Sequence, residues 1–239
     1  MALIQLPLES HRGQTLALIT LISLGAVFIS SVSWMARSVQ RDSAVDTRTS
    51  APPAATEAML ARPSPVDIGF AQDMSVHHEQ ALTMAHLALT KASPRVRLLA
   101  QGVITQQLKE VGYMQGWLLL WHAPGMAAND DMRWMREAYA RTGHRDATYE
   151  QFIDSCAQGR GMPGMASPQE LEALAVATSP AGFDAAFLAL MVRHHQGAVV
   201  MARFVSEHAQ LELVRGFASA MAAEQQQEMA QMLKWLKAS

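Results

Sequence analysis

The sequence predicts an all-α protein whose main domain is a four-helix bundle made of two helical hairpins. Three observations predict it. Ala, Leu, Met, Gln and Glu dominate the chain beyond its first quarter, and no stretch alternates apolar and polar residues as a half-buried strand would. Four long runs repeat apolar residues at helical spacing, joined in pairs by only a few residues, which favours antiparallel neighbours. The two pairs also match each other. Shifting the chain by 117 aligns Asp67 with Asp184, Phe70 with Phe187, Met74 with Met191, His77 and His78 with His194 and His195, and Met84 with Met201; 8 of 19 positions are identical. Shifting by 118 aligns Gln107 with Gln225, Glu110 with Glu228, Met114 with Met232 and Trp117 with Trp235.

In chain order, residues 1–14 read as a tail and 15–36 as a transmembrane anchor. Thr15 to Trp34 carries no charge over 20 residues, which as a helix spans roughly 30 Å. A cleaved signal, with Ser31 or Ser33 near the cut, is the competing reading. Arg12 precedes the run while Arg37 and Arg41 follow it, a margin of one charge toward a cytoplasmic domain. The chemistry argued below instead favours a single-pass anchor with an extracytoplasmic or periplasmic domain. Residues 37–65 form a Pro/Ala/Ser linker, with Pro52, Pro53, Pro63 and Pro65.

The helical domain covers 66–239 as a hairpin (66–121), a crossover (122–178) and a second hairpin (179–239). Its long helices are expected from Asp67 to about Thr90, Pro94 to Trp121, Gly182 to His208 and Leu211 to Lys237. Ser93 with Pro94, and Ser179 with Pro180, supply the cap and first turn. Shorter helices are expected near 130–141, 149–158 and 168–177. A single Cys excludes a disulfide scaffold, and 14 basic against 17 acidic residues in the domain exclude nucleic acid as a partner.

The repeated polar residues fall on apolar faces. Phe187, Met191, His194 or His195, Ala198 and Met201 share one stripe, and Met221, Gln225, Glu228 and Met232 another. Bends near Ala92 and Ala209 set His77 level with Gln107, Met74 with Glu110, His194 with Glu224 and Met191 with Glu228. Each half thus gathers imidazoles, a thioether, a carboxylate and an amide, which is costly to bury unless paired or bound to a metal. His77, His78, His194 and His195 are the leading candidate ligands, with Met74, Met84, Met191 and Met201 as thioether ligands. Glu110 and Glu228 are expected to orient imidazoles or balance charge. Met162 and Met165, in a Gly-rich loop near Cys156, suit a soft-metal entry or auxiliary site.

Thioether beside imidazole selects Cu(I), with Ag(I) or Zn(II) as alternatives. No Glu-x-x-His motif occurs, which argues against a di-iron centre. Nor does the sequence hold a phosphate-binding glycine loop or a nucleophile elbow, and no catalytic step is required. A zinc or haem bundle with redox activity, or an interaction or sensor module with a structural His/Glu core, are the other readings. Binding by neutral imidazole weakens as pH falls through the histidine range. A homo-oligomer or a metal-transfer partner is left open.

The residues resemble the domain-of-unknown-function 305 family, a ferritin-like group of Met- and His-rich bacterial proteins. The resemblance rests on Phe70, Met74, His77, His78, Ala81 and Met84 with Ala85, and on Phe183 through Phe187, Met191, His194 to Ala198, Met201 and Ala202. It extends to Gln107, Glu110 and Met114, to Gln225, Glu228 and Met232, and to Gly161–Met165. It implies an exported or anchored helical domain, some members of the family binding copper or silver and protecting cells from them. The first copy departs from the fuller pattern, with Glu79 and Gln80 where the second has Gln196 and Gly197.

Overall fold

The structure is a computed structural model that describes residues 62–128, 131–157 and 161–237. The expected anchor at 15–36 lies outside these residues. Among the described residues no helix is long and apolar enough to cross a membrane.

All regular elements described are helices: α1 (Pro65–Lys91), α2 (Pro94–Leu120), α3 (Arg133–Thr142), α4 (Ala147–Ala157), α5 (Pro168–Val176), α6 (Pro180–His208) and α7 (Glu212–Leu236). A Ser-Pro pair opens four of them. Ser64, Ser93, Ser167 and Ser179 sit at the N-cap and a proline occupies the first turn, where its missing N–H costs nothing. Ser64 and Ser167 complete reciprocal capping boxes with Asp67 and Glu170. In the crossover, α3 starts only at Arg133, because Met132 takes a left-handed conformation (φ 47°) that ends the preceding loop.

The hairpins α1/α2 and α6/α7 pack on each other through α1 and α6, with α3 to α5 laid along α1 and α6. The repeated aspartates lock the hairpins crosswise. Asp67 of α1 accepts the backbone N–H groups of Gln210 (3.1 Å) and Leu211 (3.0 Å) in the α6/α7 turn. Asp184 of α6 accepts that of Ser93 (3.1 Å) in the α1/α2 turn. Each hairpin therefore caps the bend of the other.

The interior divides into two apolar clusters. One joins Phe70 and Met74 near the start of α1 to Met201, Ala202 and Phe204 near the end of α6. The second joins Met84 and Ala88 near the end of α1 to Phe183, Phe187 and Met191 near the start of α6. Helices α1 and α6 thus run antiparallel, and the histidine pairs fall between the clusters.

Candidate metal site

His77, His78, His194 and His195 are buried, none more than 1% exposed. The layer joins both halves, for the His77 and His194 rings lie against each other at the crossing of α1 and α6, centroids 3.8 Å apart and planes tilted by 41°. The equivalent histidines of the repeat therefore meet at its centre.

The second histidine of each pair is held by a carboxylate. His78 Nε2 lies 2.7 Å from Glu110 Oε2, and His195 Nε2 lies 2.6 Å from Glu228 Oε2. Counting residues from the bends set Met74 level with Glu110 and Met191 near Glu228, and the structure corrects this by about one helical turn. Helical side chains lean toward their own N-terminus. Those of α2 and α7 lean toward the bend, those of α1 and α6 away from it, so His78 and Glu110 close the gap between them. An ionised carboxylate at Nε2 selects the tautomer with its proton there and leaves Nδ1 a bare acceptor.

Six ring nitrogens of this layer have no hydrogen-bond partner: both of His77, both of His194, and Nδ1 of His78 and His195. The amides of Gln107 and Gln225, one turn before Glu110 and Glu228 on α2 and α7, are also buried and unpaired. Such groups cost roughly 1–3 kcal/mol each when left unsatisfied. Burial lowers the His77 imidazole to about 3, with neighbouring His78 adding to the effect and the backbone of Pro163 opposing it. Burial, then the adjacent His77, likewise holds His194 well below its ordinary range. The His77 and His194 rings are thus neutral at pH 7, the form that ligates metals.

No group of three or more His, Cys, Asp or Glu side chains among the described residues is set to hold an ion. The residues fit a soft metal in chemistry: neutral, orphaned imidazoles with thioethers above and below. Coordination by them requires His77 and His194 to turn out of their stack, or a thioether to join them. Met74 and Met201 lie in one apolar cluster, and Met84 and Met191 in the other, all four fully buried. Cys156 is a poor ligand, since burial and then nearby Asp73 push its thiol up to about 12; it rests 3.3 Å from the Met132 sulfur. Exposed His86 and His144 lie outside the layer.

The departure of the first repeat from the second has a structural cause in the crossover. The loop from Gly161 to Ala166 crosses the histidine layer, with Met162 in the first cluster and Ala166 in the second. Gly197 lets it approach, for a Cβ there would fall 1.9 Å from the Pro163 carbonyl oxygen. Gln80, the equivalent of Gly197, instead clamps the loop, donating to the Ala166 carbonyl (2.9 Å) and accepting its N–H (2.6 Å). Sequence reasoning did not assign Gln80 and Gly197 these roles. Their mismatch within an otherwise faithful repeat was the signal.

An all-helical domain with a buried histidine layer shared between two repeats is the class of protein that fold and site define. The family described as domain of unknown function (DUF305) matches residues 67–236, and the chain belongs to it. A DUF305 protein from Streptomyces coelicolor, designated a secreted protein, is 31% identical, with a TM-score of 0.59 over 72% of this chain and 92% of that one. A DUF305 fragment from Deinococcus radiodurans shares the fold at 24% identity and TM-score 0.57, over 75% of this chain and 100% of its own. CopM in its Cu(II)-bound form is 26% identical, with a TM-score of 0.51 over 72% of this chain and 95% of CopM. No curated protein matches the chain.

Proposed function

We propose that this protein binds a soft metal ion, copper or silver, reversibly at the histidine layer, in an extracytoplasmic domain tethered by residues 15–36. Sequestration, tolerance or handover of the metal is its task. The carrying observation is the set of six unpartnered ring nitrogens, drawn from both repeats and buried with thioethers on either side. A structural network would satisfy those atoms, whereas a bound ion would take the one bare lone pair that each neutral ring offers. Copper bound by CopM, a structural neighbour, supports the reading, as does the designation of the Streptomyces relative for the compartment. His77 and His194 supply nitrogen, Met74, Met84, Met191 and Met201 supply sulfur, and Glu110 and Glu228 orient His78 and His195.

One observation favours a second reading, a core that specifies packing alone: among the described residues no group of three His, Cys, Asp or Glu side chains stands ready. Native mass spectrometry with Cu(I), Ag(I) and Zn(II) separates the two. The metal reading predicts preference for the soft ions and loss of bound ion in His77→Ala and His194→Ala; unchanged ion uptake in both variants supports the packing reading.

A further inference from the structure

Beside the histidine layer lies a cavity of about 460 Å³ that the site described above does not use. Its walls include Met162, Met165 and Gln80, together with Val76 and Arg193, the residues just before His77 and His194. Met162 and Met165 thus line a solvent-reaching cavity that also touches, through Val76 and Gln80 of α1 and Arg193 of α6, the turns that carry His77 and His194. Met162 is 8% exposed and faces the apolar interior, whereas Met165 is only half-buried. The pair therefore spans the distance from solvent to core on one short loop. That loop is fixed by backbone contact on Gly197 and by the Gln80 clamp. A bidentate pair, Arg193 to Glu170 at 2.7 and 2.6 Å, closes its outer rim.

We propose that Met162 and Met165 form a thioether port, a transient site that takes a soft monovalent cation from solution and passes it to His77 and His194. The inference rests on the copper or silver reading of the histidine layer. Buried imidazoles covered by a loop are reached slowly by a hydrated ion, because its water must be stripped before it enters apolar surroundings. Thioethers replace that water with soft, uncharged donors that bind weakly enough to release the ion inward. No covalent or redox change is involved. A hard divalent cation gains nothing from sulfur and is excluded from this path.

The test is transfer of Cu(I) to the full-length protein from a coloured Cu(I) chelator, followed by loss of colour. Wild type is compared with Met162→Leu/Met165→Leu, a swap that keeps volume and apolarity, and with Met165→Leu alone, which changes only the half-buried sulfur. Circular dichroism checks that each variant is folded. The port predicts transfer slowed about tenfold or more in the double variant, with the same quantity of Cu(I) bound at the end. It predicts a smaller slowing in the single variant. An unaltered rate in folded variants overturns the port while leaving the histidine site intact. So does a lowered endpoint equal to that of His77→Ala/His194→Ala, which makes the thioethers ligands of the core site instead. Should wild type take no Cu(I) from the chelator, the copper reading itself falls and the port with it.

Discussion

At the scale of single residues, the two His–Glu pairs have the same chemistry but different surroundings. The Glu110 side chain is 4% exposed and that of Glu228 27%. Removing Glu110 strands His78 Nε2 with no water to replace the carboxylate, so Glu110→Ala is expected to cost about 1–3 kcal/mol and Glu228→Ala less. Urea unfolding of the two variants checks the order, and a larger loss at Glu228 would contradict it. The buried rings also set a pH dependence. The unfolded chain protonates His77 at its ordinary 6.5, whereas the folded chain resists until about 3. Between those values the unfolded state holds the extra proton, so this contribution is full above about 6.5 and declines as pH falls. His194 acts in the same direction. The thermal midpoint of the metal-free protein should therefore drop between pH 7 and 5, above the range where carboxylates titrate. A flat midpoint would mean that the rings are hydrated in solution.

At the scale of elements, the crosswise locks differ in strength in the same way. Asp67 accepts two backbone N–H groups of the opposite turn and also closes its own helix cap at Ser64, while Asp184 accepts one. Asp67→Ala should cost roughly 1–3 kcal/mol and Asp184→Ala about half as much. Equal losses in denaturant titrations would show that the locks do not carry the hairpin packing. The helices themselves were legible because Ser-Pro pairs, apolar spacing and the repeat all act over a few residues. Which histidine meets which carboxylate was less so, since residue counting ignores the lean of side chains on antiparallel helices. The loop from Gly161 to Ala166 was opaque for another reason: it has no period, and its seat is formed by Gly197, through the side chain that it lacks.

At the scale of the whole molecule, duplication brings equivalent residues together at one centre. The stack of His77 on His194 is made of one histidine from each hairpin, so neither half holds the layer alone. The crossover then breaks the symmetry on one face, where the loop lies over the layer and the Met-lined cavity opens. An ion held between the halves would tie the hairpins together and add stability by mass action, about 2.7 kcal/mol at a free concentration 100 times the dissociation constant. The most direct measurement is the nitrogen NMR spectrum of the histidine side chains as Ag(I) is added to the protein. The account predicts that the ring nitrogens of His77 and His194 shift together, at the same equivalents of silver, while those of exposed His86 and His144 stay in place. Shifts confined to the exposed histidines, with the buried four unmoved at saturation, would contradict it.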